Sequence, residues 1–292
     1  MFALAQRHLK SVLPANLRPR LRAQIEGLKI RSLRAALAEQ GLASLLARLE
    51  AIVPDIRQQY TTYELDTEYL RVNVRAVHTF QIHMVEQAIT RLQLDPTHRL
   101  TIVDIGDSAG THIQYLNGLH PDWSLRCLGL NLDQQAVDKI KAKGLEAVCA
   151  RAEELPALGI DADIFLSFET LEHLLSPIQF LKDLADTSAC RAFVITVPYV
   201  AQSRVGLRHI RLGQRRPATP EDTHIFELSP RDWGFLAQQA GWAVAYEQTY
   251  LQYPRFGLWR VLKDYWKLMD FEGFWGAVLV RDSTWKDLYT GW

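Results

Sequence analysis

Short apolar runs alternate with amphipathic segments from residue 99 onward, and this alternation constrains the fold more than any other feature of the sequence. The amphipathic segments are typical of helices, and the apolar runs are typical of parallel strands that are covered on both faces. The apolar runs fall at residues 100–105, 125–130, 147–150, 162–168 and 192–197, and the helical segments at residues 109–119, 133–143 and 177–185. The pattern therefore predicts an α/β fold with a parallel sheet and crossover helices.

The last part of the chain departs from this pattern. It predicts a helix over residues 230–240, then apolar runs at residues 242–250 and 274–281 with an amphipathic insert at residues 257–269 between them. The two late runs favour a strand pair that closes one edge of the sheet. Together the runs predict a Rossmann-like, seven-stranded, mostly parallel sheet with an antiparallel terminal strand.

The beginning of the chain contains no convincing strand pattern. Leucines and alanines recur at helical spacing in residues 30–37 and 42–49, and a longer helix is predicted over residues 67–92. The chain is therefore divided into a helical N-terminal region at residues 1–95 and an α/β domain at residues 96–292. The helical region is a candidate lid, membrane-surface contact or oligomer contact.

Charge and cysteine usage exclude several function classes. The chain carries 33 basic and 33 acidic side chains, so no nucleic-acid partner is expected. Its three cysteines lie far apart without metal-ligand or disulfide spacing, so no metal site is predicted and a reducing, cytoplasmic location is expected. No apolar window of about 20 residues is present, which indicates a chain that does not span a membrane.

Basic residues are concentrated near the N-terminus. Residues 1–50 contain nine lysines and arginines but only three glutamates. This segment is suited to an anionic surface, so peripheral membrane contact through the N-terminal helices is a hypothesis, as is a homodimer. The basic residues are Arg7, Lys10, Arg18, Arg20, Arg22, Lys29, Arg31, Arg34 and Arg48.

A glycine-bearing turn follows the first predicted strand, from Asp104 to Gly110. Open α/β sheets bind nucleotides at this position, outside the carboxyl ends of their strands. A dinucleotide site requires a G-x-G-x-x-G turn, but Ser108 and Thr111 occupy the two later glycine positions, which disfavours a nicotinamide cofactor. Adenosylmethionine needs close approach of the backbone and an acidic residue for its ammonium group, and Asp104, Gly106 and Gly110 supply both.

Three further segments follow this turn, each after a predicted strand: residues 129–133, 151–156 and 163–174. In this order they resemble the class I methyltransferase family, particularly its small-molecule O-methyltransferase branch, over residues 98–281. The stretch Leu171-Glu172-His173-Leu174 is the most specific part of the resemblance. The resemblance implies a methyltransferase that uses S-adenosylmethionine and methylates a small-molecule or glycan acceptor at a hydroxyl.

The resemblance also assigns roles to residues along the carboxyl edge of the sheet. The first turn would bind the methionine part of the cofactor, the second strand end its ribose, and the third strand end its adenine. The residues assigned to the cofactor are Asp104, Gly106, Ser108, Gly110, Asn131, Leu132, Ala152, Glu153, Phe168 and Glu169. Asn131 and Arg151 replace acidic residues that are typical of the family, and Asp133 is either a substitute ribose ligand or a helix N-cap.

Two histidines are candidates for the catalytic chemistry. An acceptor hydroxyl must lose its proton, and histidine suits that task near neutral pH. Similar proteins place the stretch around His224 in the acceptor pocket, so His224 is the candidate base, with His209 as a weaker rival. His173 either positions the cofactor or takes part in proton removal. The basic loop at residues 200–221 either covers the site and favours an anionic acceptor, or is a solvated connection.

Two alternatives remain open on the sequence alone. The substitutions at Asn131 and Arg151 are compatible with a non-catalytic relative that binds S-adenosylmethionine or a partner without transferring a methyl group. The basic N-terminal helices are compatible with a membrane-surface or complex-assembly module. Methylation of nucleic acid bases is disfavoured because no Asn/Asp-Pro-Pro-aromatic motif is present.

Overall fold

A central β-sheet organises the computed structural model, which describes residues 17–95, 97–211, 213, 215, 223–268 and 272–288. The strands are β1 (Leu100–Ile105), β2 (Leu125–Asn131), β3 (Glu146–Cys149), β4 (Ile164–Phe168), β5 (Ala192–Tyr199), β6 (Arg204–Val205), β7 (Phe226–Glu227), β8 (Trp242–Leu251) and β9 (Gly273–Arg281). Seven of them form one sheet in the order β3-β2-β1-β4-β5-β9-β8, while β6 and β7 pair with each other. The predicted Rossmann-like sheet is confirmed.

Helices cover both faces of this sheet. They are α1 (Leu17–Glu39), α2 (Ala43–Ile52), α3 (Glu68–Arg91), α4 (Thr111–Leu119), α5 (Gln134–Ala142), α6 (Pro177–Thr187), α7 (Arg208–Arg211), α8 (Pro230–Gln239) and α9 (Lys263–Leu268). Successive residues of β1 face opposite layers, since Ile102 shares a core cluster with Phe80 of α3 and Val103 shares another with Phe180 of α6. Strands covered in this way must be apolar on both sides, which explains their sequence pattern.

The last strand is antiparallel, as predicted, and lies one place in from the edge. β9 pairs in antiparallel fashion with β5 on one side and with β8 on the other. The first seven residues of β9 are all buried, whereas most positions of β8 are partly exposed. The more apolar strand therefore occupies the inner position, and β8 carries Glu247 and Gln248 at the edge of the sheet.

The N-terminal helices pack against the sheet and against the end of the chain. Phe80 and Met84 of α3 are fully buried in the core cluster that also includes Val278 of β9. Ser32 of α1 donates through Oγ to the carbonyl oxygen of Gln252 at 2.9 Å. These contacts fix α1 and α3 relative to the sheet, while the division of the chain at residue 96 stays a prediction.

Some predicted features lie beyond the structural description. Arg7 and Lys10 of the basic N-terminal stretch and Arg216 of the basic loop lie outside the described residues. His209, the rival candidate base, lies on α7. Within the described ranges, none of the helices combines the length and apolarity needed to cross a membrane.

Candidate active site

The cofactor turn (residues 104–110) lies where the carboxyl ends of β1, β2 and β4 meet. Asp104 is paired with Gly129 of β2 and Leu166 of β4 in the sheet. The turn adopts two left-handed backbone conformations, with a φ of 98° at Gly106 and of 70° at Gly110. Residues with a side chain rarely adopt such angles, so the two glycines allow the chain to turn here and begin α4.

Thr170 lies directly over Gly106. Its Oγ1 donates to the carbonyl oxygens of Ile105 and Phe168, each at 3.1 Å. A Cβ atom at position 106 would lie 2.5 Å from this hydroxyl oxygen. A substitution of Gly106 would therefore disturb the packing at the end of β4 whether or not a cofactor is bound, so it is a poor test of cofactor binding.

Asp104 and His112 form a buried ion pair beside this turn. Nδ1 of His112 donates to Oδ2 of Asp104 at 3.0 Å, and Nε2 donates to Oε1 of Gln81 at 3.0 Å. Because both ring nitrogens face oxygen acceptors, the doubly protonated imidazolium fits this position best. Burial alone would lower the pKa of His112, but the carboxylate of Asp104 raises it. Burial raises the pKa of Asp104 to about 6.

A chain of hydrogen bonds continues from this pair to the end of β4. Nε2 of Gln81 donates to Oγ1 of Thr196 at 3.2 Å, and the carbonyl oxygen of Thr196 accepts from the backbone N–H of Glu169 at 2.9 Å. Glu169 directly follows β4 and has a φ of 52°, which is unusual for a residue with a side chain. These hydrogen bonds thus connect the cofactor turn to the end of β4, where the sequence assigns Phe168 and Glu169 to the cofactor.

Two carboxylate oxygens in the cofactor turn are buried without a partner. Among the described residues, neither Oδ1 of Asp104 nor Oδ2 of Asp107 has a hydrogen-bond partner. Both residues are 1% exposed. A buried carboxylate oxygen without a donor is costly, so this turn is suited to a cationic group that carries N–H donors.

The end of β2 places Asn131 beside the cofactor turn. Its Nδ2 donates to the carbonyl oxygen of Asp107 at 3.3 Å, and its Oδ1 accepts from the backbone N–H of Asp133 at 2.8 Å. Oδ1 of Asp133 accepts from the backbone N–H of Gln135 at 2.9 Å, so the N-cap interpretation of Asp133 is confirmed. Leu132 lies between them in sequence and is 58% exposed.

The residues assigned to the adenine side follow β3. Ala152 and Glu153 begin a short 3-10 turn at Ala152–Glu154, and Ala152 is buried. Arg151 donates its backbone N–H to Oε2 of Glu154 at 3.0 Å, and its guanidinium lies 3.6 Å from Glu153. Arg151 is thus paired with the carboxylates of its own turn. Across the sheet edge, the ring of Phe168 contacts His112 edge-on, with centroids 5.0 Å apart.

A covering segment (residues 53–67), which connects α2 to α3, runs across the ends of α4 and α5. Oε1 of Gln59 accepts from Oγ1 of Thr111 at 2.6 Å, next to the cofactor turn. Oγ1 of Thr61 donates to Oδ2 of Asp133 at 2.7 Å. The carbonyl oxygen of Tyr60 accepts from Nζ of Lys139 at 2.8 Å. The covering segment is therefore held by polar contacts to both helices that begin at this edge of the sheet.

A second group of titratable residues, the Glu–His cluster (Glu172, His173, His224 and Glu227), lies beyond β4. The rings of His173 and His224 meet edge-on with centroids 4.8 Å apart. The backbone N–H of Ile225 donates to the carbonyl oxygen of Glu172 at 2.7 Å, which fixes the chain around His224 against the 3-10 turn Leu171–His173. The structure therefore brings the two predicted catalytic histidines together.

The carboxyl groups around this cluster have very different environments. Burial raises the pKa of Glu172 well above its usual range, and the nearby Glu169 adds to the effect. Burial also raises the pKa of Glu169 to about 8. Burial would raise the pKa of Glu227 as well, but His224 and Arg204 lower it to about 2. The cost of burying Glu227 is therefore offset by His224 and Arg204, whereas the pKa of Glu172 stays raised by burial.

Two arginines of the predicted basic loop are used inside the protein. The guanidinium of Arg204 pairs with Glu227, and that of Arg211 lies 3.3 Å from the same carboxylate. These two charges are therefore partly neutralised by Glu227. The basic loop therefore supports an anionic acceptor less strongly than its sequence suggests, because Arg204 and Arg211 both pair with Glu227.

Sequence reasoning missed several residues of this site. It gave no role to His112, to Glu172 or to Glu227, although Glu172 belongs to the stretch that carried the resemblance. Glu172 was adjacent to a candidate histidine, which was a usable signal. Nothing in the sequence indicated that Thr61 and Gln59 reach the cofactor edge, because the partners of both lie more than 50 positions away.

Comparison with known proteins is consistent with this geometry. Residues 103–187 match the family model described as a methyltransferase domain. A protein from Galdieria sulphuraria described as a sarcosine dimethylglycine methyltransferase is 12% identical, with a TM-score of 0.53 over 73% of this chain and 88% of that chain. Comparison with curated proteins gives no significant match.

Two further solved structures share the fold. The cyclopropane synthase MmaA2 from Mycobacterium tuberculosis is 12% identical, with a TM-score of 0.51 over 80% of this chain and 94% of that chain. A chain from the complex of the Haloferax volcanii Trm112 methyltransferase activator with a methyltransferase is 16% identical, with a TM-score of 0.50 over 78% of this chain and 98% of that chain. At such low identity the likeness concerns the fold alone.

Proposed function

We propose that this chain, which carries a methyltransferase domain on the class I fold, transfers a methyl group from S-adenosylmethionine to a hydroxyl of a small-molecule or glycan acceptor. The observation that carries the proposal is the pair of unpartnered carboxylate oxygens in the cofactor turn. Among the described residues, Oδ1 of Asp104 and Oδ2 of Asp107 are buried and without donors. The ammonium group of S-adenosylmethionine supplies such donors and a compensating charge.

The remaining cofactor contacts follow from the same edge of the sheet. Gly106 and Gly110 adopt the left-handed angles that shape the turn, and their lack of a side chain leaves room for Thr170 and for Leu145 and Ile140. Oδ1 of Asn131 already accepts from the backbone N–H of Asp133. This oxygen has a second lone pair that is available to a ribose hydroxyl. The exposed side chain of Leu132 is available to cover the adenine. Residues Ser108, Ala152, Glu153, Phe168 and Glu169 stay predicted cofactor contacts.

The acceptor is proposed to bind at the Glu–His cluster. The bound cofactor supplies a methyl group on a positively charged sulfur. In the transfer, the carbon–sulfur bond breaks with its electron pair going to sulfur, and the acceptor oxygen forms the new carbon–oxygen bond. The acceptor hydroxyl loses its proton in the process, and His224 is the predicted residue for that step. Its position next to His173 and Glu227 supports this placement.

Two measurements test the proposal. Calorimetry of the purified chain should show binding of S-adenosylmethionine and of S-adenosylhomocysteine. Incubation with methyl-labelled cofactor and a panel of hydroxylated small molecules and oligosaccharides should then yield a labelled product. Binding without turnover on any acceptor would favour the non-catalytic relative, and absence of binding would exclude the proposed function and leave only a relative that binds a partner.

Peripheral membrane contact also stays a proposal, and the exposed surface next to α1 supports it. Phe256, Leu258 and Val261 are 76%, 89% and 76% exposed. The backbone N–H of Phe256 donates to the carboxylate of Glu39 at the end of α1. Arg255, Arg260 and Lys263 surround these apolar side chains in sequence, a combination that favours an anionic membrane surface. The cytoplasmic location and the homodimer stay predictions.

A further inference from the structure

We infer that Glu172, His173 and His224 hold a divalent transition-metal ion, and that this ion binds the acceptor hydroxyl. One ligand atom from each of the three residues lies within 4.8 Å of the others. Nε2 of His173 is 3.9 Å from Oε1 of Glu172. Metal–ligand bonds of about 2.0–2.2 Å separate neighbouring donors by about 3 Å or slightly more, so a small closure of the side chains completes the site.

Both imidazole rings are oriented in the way that metal-binding histidines require. Nδ1 of His173 donates to the carbonyl oxygen of Thr223 at 3.1 Å. Nδ1 of His224 lies 3.5 Å from Oε1 of Glu227. A hydrogen bond from Nδ1 to a carbonyl or carboxylate fixes the tautomer whose Nε2 carries the lone pair. Thr223 and Glu227 thus prepare both rings to bind a cation through Nε2.

The buried carboxyl group of Glu172 is the independent observation that points to a bound cation. Glu172 is 1% exposed, and neither of its carboxylate oxygens has a hydrogen-bond partner among the described residues. Arg204 and Arg211 do not compensate it, because both pair with Glu227. A divalent cation would satisfy both oxygens and favour the ionised form of Glu172, and Oε1 of the neighbouring Glu169 is likewise buried and unpartnered within the described ranges.

The ligand types select the class of cation. Two imidazoles and one or two carboxylates suit Mn²⁺, Fe²⁺ or Zn²⁺, whereas Mg²⁺ prefers oxygen ligands alone. A hydroxyl bound to such an ion loses its proton near neutral pH, because the ion stabilises the resulting alkoxide. The proton passes to solvent and the alkoxide oxygen attacks the methyl carbon. His224 is then a ligand rather than the base. This second half of the inference rests on the proposed function, whereas cation binding does not.

Metal titration of the chelator-treated full chain tests the inference. We expect about one equivalent of Mn²⁺ to bind, as followed by the loss of the free Mn²⁺ signal in electron paramagnetic resonance, and Zn²⁺ to compete for the same site. The variants Glu172→Gln and His173→Ala should each lower the affinity for Mn²⁺ by about 100-fold or more, since residues that merely orient ligands are worth about 10–100-fold. Glu86→Gln is the matched control, because its carboxylate pairs with His120 at 2.7 Å elsewhere in the structure.

The midpoint of thermal unfolding, measured with and without Mn²⁺, is a second test of metal binding that also reports whether each variant is folded. Mn²⁺ should raise the unfolding midpoint of the wild-type chain and of Glu86→Gln, and chelator should reverse the increase. Glu172→Gln should be about as stable as wild type without metal, because its carboxyl group has no hydrogen-bond partner to lose among the described residues, and Mn²⁺ should not stabilise it. Failure of the wild type to bind Mn²⁺ or Zn²⁺, or unchanged affinity in both variants, would overturn the inference. Cofactor binding is measured in parallel, so loss of metal binding alone leaves the proposed function standing.

Discussion

The hydroxyl of Thr61 donates to Oδ2 of Asp133 at 2.7 Å, so the covering segment is attached to the first turn of α5. This contact joins the covering segment to the end of β2, which is proposed to bind the ribose of the cofactor. We therefore expect the covering segment to open locally when a cofactor enters or leaves along this edge.

We therefore expect Thr61→Val to accelerate dissociation of S-adenosylmethionine. The substitution keeps the shape of the side chain and removes one hydrogen bond, which is worth about 1 kcal/mol or roughly fivefold in a rate or affinity. Stopped-flow displacement of a fluorescent cofactor analogue would measure the rate. Thr97→Val is the control, because the Thr97 hydroxyl bonds Asp95 at an exposed turn before β1. Equal dissociation rates in both variants would show that the covering segment does not retain the cofactor.

Leu132 provides a test of the adenine position that leaves the core untouched. It is 58% exposed, so Leu132→Ser should not destabilise the fold. If adenine covers this side chain, the loss of apolar contact should weaken binding of S-adenosylhomocysteine by about tenfold, which corresponds to about 1.4 kcal/mol. Isothermal calorimetry gives the affinity. Leu288→Ser, at a 70% exposed leucine near the chain end, should bind as the wild type does. Unchanged binding in both variants would place adenine elsewhere.

The Asp104–His112 pair predicts a definite pH dependence of stability. Both groups have a raised pKa in the folded chain, with that of Asp104 at about 6. A raised pKa favours the protonated folded state, so this stabilisation is complete at low pH. It is lost for Asp104 as the pH rises from about 4 to about 6, and for His112 as it rises above about 6.5.

The double variant Asp104→Asn/His112→Gln lacks both titratable side chains. The advantage of the wild type over this variant in free energy of unfolding should therefore shrink by about 1 kcal/mol or more between pH about 5 and about 8. Urea unfolding at both values measures it. The exposed pair Asp95 and His98, changed in the same way, should show a much smaller effect. An advantage that grows with pH would mean that the folded pair is not preferentially protonated.

His224→Ala should separate chemistry from cofactor binding. We expect turnover to fall by about 100-fold or more with nearly unchanged affinity for S-adenosylmethionine, because the ring lies in the Glu–His cluster and not at the cofactor turn. His98→Ala, at an exposed histidine before β1, is the control. A loss of less than about threefold would remove His224 from the reaction. The sequence suggested a cofactor role for His173, but its contact with His224 leads us to expect the same behaviour from His173→Ala.

Membrane contact can be tested on the exposed apolar residues that follow β8. The double variant Leu258→Asp/Val261→Asp should lose binding to vesicles that contain anionic phosphatidylserine, because it places charges in the proposed contact surface. Flotation through a density gradient measures binding. Leu288→Asp is the control for an exposed leucine elsewhere. Failure of the wild-type chain to float with these vesicles would exclude the contact.

Local patterns in the sequence determined the seven strands of the large sheet, most of the helices and the position of the cofactor turn, but not β6, β7 or α7. Each predicted strand is present with ends that differ by at most two residues, and α3 at Glu68–Arg91 closely matches the predicted helix. The glycines of the turn were identifiable because left-handed backbone angles demand glycine regardless of the rest of the fold. These features depend on residues that are neighbours along the chain, where side-chain periodicity and turn chemistry act.

Only the tertiary structure decided which distant residues meet. The position of β9 between β5 and β8, the contact of Thr61 with Asp133 and the meeting of His173 with His224 each join segments that are far apart in sequence. Glu172 acquires its significance in the same way, since its burial and its lack of a donor among the described residues follow from the elements packed around it. Hydrophobic burial is non-directional, so the sequence fixes which faces are buried but leaves to the packing of the whole chain which polar groups are enclosed together.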